Sequence, residues 1–209
     1  MPLLKKYKTS PIWLKRHFND KYVKLAHKKK LRSRAYFKLE EIQKTDKIFR
    51  AGMTVIDLGA APGSWSEYAI TQIGDKGIVI ACDILPISPI KNLYFIQGDC
   101  REKIIFNKLL DYVKYKDIHL IMSDMAPNMS GHSCIDLPKS LILCELAFDI
   151  MRLTLMQGGT FLVKLFQGEG FNKYLNNIRS LFSKVIIRKP KSSRSSSREV
   201  FIVAVKKKI

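Results

Sequence analysis

The chain has 209 residues, 46% of them hydrophobic, enough for one well-cored domain and too few for two of average size. Its formal net charge of +19, from 37 Lys and Arg against 18 Asp and Glu, exceeds what solubility requires and points to a polyanion: RNA, DNA or an anionic membrane. No run approaches the roughly 18 uncharged apolar residues of a membrane span, and "MPLLKKYKTS" lacks the apolar core and cleavage pattern of a signal peptide. A soluble, cytoplasmic, monomeric protein with no membrane partner is expected.

The first 50 residues form a basic helical extension. From Lys5 to Arg34 cations recur with Tyr7, Trp13, Phe18 and Tyr22 among them, and Tyr36 follows. Such aromatics either stack on bases or anchor the segment to the core. Lys28, Lys29, Lys30, Arg32 and Arg34 have no acidic neighbour until Glu40, which favours phosphate contact over a solvated face of mixed sign.

After Gly52 short apolar runs alternate with helical patterns. "MTVIDLG" reads as a strand, "SWSEYAITQIG" as a helix capped by Ser64, and "GIVIACD" as a strand. The strand "LYFIQGD", a helix near Arg101 to Leu110 and the strand "DIHLIMSD" come next. "LPKSLILCELAFDIMRLTLMQGG" reads as a long helix closed by Gly158 and Gly159. Then follow the strand "TFLVKLF", a helix at "FNKYLNNIRSLF" and the strands "KVIIRK" and "REVFIVAV", joined by a flexible polar loop, "KPKSSRSSSRE". Seven strands alternating with helices predict an α/β, doubly wound, mainly parallel sheet; the missing helix before the last strand predicts that this strand is antiparallel. Residues 1–209 form one domain, an extension at 1–50 and a core at 51–209. Cys82, Cys100, Cys134 and Cys144 make no C-x-x-C pair and sit in or beside apolar segments, so they read as reduced core thiols and no metal is indicated.

Ligands of open parallel sheets bind beyond the carboxyl ends of the strands, where strand order reverses. Asp57, Asp83, Asp99 and Asp124 stand at or just past four successive strand ends. Gly59 and Gly63 lie in the turn "DLGAAPGSW", whose spacing is not the G-x-G-x-x-G of dinucleotide enzymes. Asp83, about 20 residues further on, is where a carboxylate binds ribose hydroxyls. A nucleoside-containing cofactor is favoured over a phosphate-rich one.

"VIDLGAAPGSWS", "ACDILP", "QGDC", "SDMAPNMSG" and "FLVKLFQGEG", with "SRAYFKL" before them and "SSSREVFIVA" after, resemble the motifs of the FtsJ/RrmJ family of RNA ribose 2′-O-methyltransferases over nearly the whole chain. The resemblance implies a Rossmann-like class I fold with S-adenosyl-L-methionine as cofactor. Gly59, Gly63 and Trp65 would contact its methionine end, Asp83 its ribose and Asp99 its adenine amine, with Asp124 at the junction with catalysis. Asp57 either organises the turn or touches ligand. Lys38, Asp124, Lys164 and Glu199 match the family's Lys-Asp-Lys-Glu tetrad, with Lys164 as proton acceptor or as orienter of the attacking hydroxyl. A free lysine, with a pKa near about 10.4, is protonated at neutral pH, so both roles stay open. The implied substrate is a uridine of 23S rRNA in the large ribosomal subunit, at the peptidyl-transferase region; a transfer RNA substrate, or a non-catalytic rRNA-binding assembly role, are the alternatives.

Overall fold

A computed structural model describes residues 20–209; the expectations for Tyr7, Trp13 and Phe18 lie outside the described residues. Helix α1 spans Lys21–Lys28 and α2 spans Ala35–Asp46. Strand β1 (Thr54–Leu58), α3 (Ser64–Ile73), β2 (Ile78–Asp83), β3 (Leu93–Gln97), α4 (Lys103–Val113), β4 (Ile118–Ser123), α5 (Ser133–Thr154), β5 (Leu155–Phe166), α6 (Phe171–Leu181), β6 (Phe182–Arg188) and β7 (Glu199–Lys207) follow. The sheet runs β3-β2-β1-β4-β5-β7-β6. Strands β1 to β5 pair in parallel, and β7 is antiparallel to both β5 and β6, as the missing crossover helix predicts.

Alternation along the strands builds two cores. Ile56, Ile80, Ile121, Phe161, Val163 and Ile202 pack with α4, α5 and α6 on one face. Val55, Val79, Leu120, Met122, Leu162 and Phe201 pack with α2 and α3 on the other. Because successive side chains of a strand point to opposite faces, Lys164 shares the side of Leu162, and Glu199 shares that of Phe201. Both therefore belong to the face that α2, which carries Lys38, covers.

The helix boundaries differ from expectation at two places. Ser64 does not cap α3: the cap position is Gly63, no side chain bonds there, and the Ser64 hydroxyl lies 2.7 Å from that of Ser33. Gly158 and Gly159 do not close α5. The helix stops at Thr154, where Leu155 turns extended and pairs with Ile118. Leu120 then pairs with Thr160, so the glycines lie in a bulge, Gly158 at φ +76°, with a Cβ on Gly159 only 2.7 Å from the Leu155 side chain. The helix end is satisfied instead by Lys207, whose ammonium donates to the carbonyls of Met151, Arg152 and Leu155 at 2.7–3.4 Å.

The β6–β7 loop is pinned as well as polar. Glu41 accepts the N–H groups of Lys191 and Ser192 at 2.6 and 3.0 Å, Arg34 donates to the Ser192 carbonyl, and Ser192 and Ser193 are buried. Charge-assisted hydrogen bonds from α2 hold a segment whose composition suggests freedom. Removing them in Glu41→Ala should lower stability by about 1–3 kcal/mol. Urea unfolding measures the loss, and trypsin should then cut the loop at Lys191 or Arg194 in the folded variant but not in the parent.

Candidate active site

The turn after β1 lets two loops meet. Gly59 has φ +73°, and a Cβ there would stand 2.7 Å from the Met125 side chain and 2.9 Å from its backbone, so only glycine lets the β1 and β4 ends approach this closely. Gly63, at φ +100°, opens α3, and its Cβ would fall 2.9 Å from Ile87. Asp83 holds the turn from outside: its carboxylate accepts the Ala61 N–H and the Leu85 N–H, each at 2.8 Å. Asp57 holds it from beneath, accepting the Ser66 hydroxyl at 2.6 Å while its other oxygen is buried without a partner among the described residues. Asp57 thus acts on the turn, the first of the two readings open to it.

Arg32 also clamps this turn. Its guanidinium donates to the Pro62 and Pro89 carbonyls at 3.1 and 3.4 Å and lies 3.6 Å from Glu67. Arg34 pairs with Asp20 and with the Ser192 carbonyl. These two members of the basic cluster are therefore engaged inside the protein; Lys28, Lys29 and Lys30 remain exposed.

A cavity of about 550 Å³ opens beyond the carboxyl ends of β1 to β4, at the reversal of strand order. Gly59, Asp83, Asp99 and Asp124 are in its wall; Gly63, Trp65, Lys38, Lys164 and Glu199 are not. The Trp65 indole is turned away, donating from Nε1 to the Ala35 carbonyl at 2.9 Å and tilting against Phe201 at 5.7 Å between ring centres. It ties α3 to α2, so a ligand contact from Trp65 is left to its backbone at the helix start. Asp99 is shared with Arg101, whose Nε lies 3.0 Å from both carboxylate oxygens, and these bonds hold its carboxyl below the usual range.

Asp124 joins the cavity to a row of buried charges. Lys164 Nζ donates to the Asp124 carbonyl oxygen at 2.6 Å and stands 2.9 Å from Oδ1 as an ion pair, off hydrogen-bond geometry. Lys38 Nζ is 2.8 Å from Glu199 Oε1 and 5.5 Å from the centre of the Phe201 ring. Burial pushes the Asp124 carboxyl up, but Lys164 and Lys38 outweigh it, and the group sits below its ordinary value. Glu199 follows the same balance, burial opposed by Lys38, and also ends low. Both are carboxylates at neutral pH.

Asp136 has no counterpart among the expected site residues. It accepts the N–H and hydroxyl of Ser130 and the N–H of Gly131 at 2.8–2.9 Å, fixing the loop that leads from the Met125–Asn128 wall into α5. A signal for it existed in the polar, glycine-containing run "NMSGHS" followed by an acid in the first turn of a helix. Of the four cysteines, Cys82, Cys100 and Cys144 are buried core thiols as expected, the first two also bordering the cavity, whereas Cys134 is exposed.

A family model described as FtsJ-like methyltransferase matches residues 31–207. A Plasmodium falciparum protein described as a ribosomal RNA methyltransferase is 29% identical, with a TM-score of 0.75 over 84% of this chain and 98% of that one. Aeropyrum pernix fibrillarin, solved with bound S-adenosyl-L-methionine, is 15% identical, with a TM-score of 0.57 over 82% of this chain and 73% of its own. A Clostridium thermocellum protein described as an rRNA methylase is 15% identical, with a TM-score of 0.52 over 81% and 97%. The last two share the fold, which is the Rossmann-like methyltransferase fold.

Asp57 gives this site a measurable pH signature. Full burial, then the nearby Asp124 and Asp83, against the Ser66 hydrogen bond, raises its carboxyl from 3.8 to about 7. Between those values the unfolded chain ionises while the folded carboxyl keeps its proton, so its contribution to stability is present below about 4 and lost as pH rises to 7, on the order of 4 kcal/mol at full extent. In Asp57→Asn that falling component should vanish. The stability difference between parent and variant, followed by urea unfolding from pH 4 to 8, checks this; a difference that does not change with pH refutes it.

Proposed function

The chain belongs to the FtsJ-like methyltransferase family, with S-adenosyl-L-methionine as cofactor, and from that premise we propose that it methylates the ribose 2′-oxygen of a uridine in large-subunit (23S) ribosomal RNA, at the peptidyl-transferase region. The observation that carries the reading is the position of Asp124, at once in the cavity wall and paired with Lys164. A donor cavity and a buried lysine are thereby joined through one residue.

The cavity suits a nucleoside joined to an amino acid. Its volume of about 550 Å³ falls in the range of small-molecule sites, and the exposed apolar Ile84 and Leu85 adjoin the Asp83 carboxylate as a ring and a ribose require. Asp83 would take the ribose hydroxyls, Asp99 the adenine amine in company with Arg101, and the backbone of Gly59, Gly63 and Trp65 the methionine end. When bound, S-adenosyl-L-methionine supplies an electrophilic methyl group.

The remaining work falls to this chain's own side chains. Lys164 Nζ meets and orients the attacking 2′-hydroxyl, and takes up its proton once substrate binding has released the ammonium's own proton to solvent. Asp124, which grips that amine by backbone and carboxylate alike, fixes its direction. Glu199 holds Lys38 beside it, and Lys38 places the ribose or the adjoining phosphate. The exposed Lys28, Lys29 and Lys30 at the end of α1, with Lys191 and Arg198 on the β6–β7 loop, hold the flanking RNA backbone, in keeping with the net charge of +19. The first 50 residues serve as the RNA-binding extension of one catalytic domain. The substrate class is taken from the Plasmodium relative's description together with the family.

Transfer of labelled methyl from S-adenosyl-L-methionine to large ribosomal subunits that lack the modification, with transfer RNA offered in parallel, tests the assignment. Lys164→Ala should cut turnover by at least about 100-fold while leaving donor affinity nearly unchanged. Asp83→Ala should instead weaken donor binding by about tenfold or more, read by calorimetry. Turnover retained in Lys164→Ala excludes the proton-transfer role, and label found only in transfer RNA excludes the ribosomal substrate.

A further inference from the structure

Methyl transfer leaves two thiols of the cavity wall unused. Cys82 is the last residue of β2 before Asp83, and Cys100 follows Asp99 beyond the end of β3. Only 1% and 6% of their surfaces are accessible, yet both face the cavity.

The backbone brings them together. Cys82 pairs with Ile96 across the parallel β2–β3 ladder, and the Gly98 N–H continues it to the Asp83 carbonyl at 2.9 Å. Neighbouring strands stand about 4.8 Å apart, so the end of β2 and the chain leaving β3 run side by side. Gly98 then turns the chain, and Cys82 Sγ lies 3.8 Å from its carbonyl. The Cys82 and Cys100 thiols border the same cavity close enough to act on one another, and Cys100 Sγ lies 3.9 Å from Met125 Sδ.

We propose that Cys82 and Cys100 are a reversible oxidation site, forming a disulfide across the wall of the cavity when the protein meets hydrogen peroxide. The pair is polarised for this. Interaction with Cys82 holds the Cys100 thiol below its ordinary value against the effect of burial, and the same interaction, with burial, raises Cys82. Cys100 is the nucleophile, because the thiolate is the reactive form. Its sulfur attacks a peroxide oxygen, the O–O bond breaks, and the leaving hydroxide combines with the proton given up by Cys100 to form water. Cys82 sulfur then attacks the resulting sulfenic acid; an S–S bond forms, the S–O bond breaks, and the oxygen leaves as water with the proton of Cys82. Two electrons pass from two thiols to one peroxide, which becomes two waters.

The consequence for the cavity follows from sequence adjacency. Each thiol neighbours a carboxylate of the wall, Cys82 next to Asp83 and Cys100 next to Asp99. Drawing the sulfurs from contact to a bond of about 2.05 Å pulls both carboxylates out of place. Oxidation therefore weakens donor binding, an effect that rests on the proposed donor site, whereas the disulfide itself does not.

The test uses the full chain carrying Cys134→Ser, which removes the exposed thiol. After hydrogen peroxide treatment, intact mass should show loss of two hydrogens per chain, and peptide mapping should join Cys82 to Cys100. Affinity for S-adenosyl-L-methionine, measured by calorimetry, should fall by about tenfold or more and return with dithiothreitol, and saturation with the donor beforehand should slow the oxidation. Cys82 and Cys100 recovered as free thiols after treatment overturn the proposal, as does a link between them that leaves affinity unchanged. A reduced protein that fails to bind the donor refutes the donor site instead, and mass still decides the disulfide. Cys100→Ala and Cys82→Ala, made separately in case one does not fold, should each lose the response to peroxide; its persistence in either counts against the pair.

Discussion

A lysine ammonium buried at the end of a parallel sheet must be compensated where it lies. Taking such a charge out of water costs several kcal/mol, and the cost is recovered only by close, well-placed partners. Asp124 supplies two of them to Lys164, a carbonyl at 2.6 Å and a carboxylate oxygen at 2.9 Å. Because Asp124 leaves β4 beside the turn after β1, with its N–H on the Leu58 carbonyl, compensating Lys164 also fixes the loop that walls the cavity. Lys38 and Glu199 repeat the arrangement from α2 and β7. The two pairs are the seam along which helix, sheet and cavity are joined.

Around that seam, one residue type is used in different electrostatic states. Asp57, fully buried against the Ser66 hydroxyl, is pushed towards neutrality, while Asp124, partly buried at the cavity wall and facing Lys164 and Lys38, is kept ionised. Asp99 is kept ionised by its bonds from Arg101. Burial raises a carboxyl and adjacent cations lower it, so the partner rather than the residue type decides the outcome. Arg32 shows the same economy among cations: from a lysine-rich stretch suited to phosphate, it is drawn into the Pro62 turn, leaving its neighbours Lys28 to Lys30 at the surface.

Legibility followed the strength of local constraint. "FLVKLF" is an unbroken apolar run of strand length apart from its lysine, so Lys164 could be assigned to a strand, and the absent helix before "REVFIVAV" predicted an antiparallel β7, which forms. Boundaries were legible only where local chemistry went unopposed. Gly158 and Gly159 looked like a helix stop, but Lys207, more than 50 residues away in the chain, supplies the stop earlier, and the glycines are taken by a bulge. The "KPKSSRSSSRE" loop reads as free because its partners, Glu41 and Arg34, lie about 150 residues before it.

The sequence by itself determined the layers, the strand order of residue types and the positions of the acids at strand ends, because periods of 2 and 3.6 and the glycine turns act over a few neighbouring residues. Tertiary structure decided which of those groups meet. It turned Trp65 from the cavity into a brace between helices, linked Lys38 to Glu199 across 161 positions of chain, and set Cys82 beside Cys100. Those outcomes depend on strand register and helix placement, which are settled by packing of the whole sheet and have no expression in any short stretch of residues.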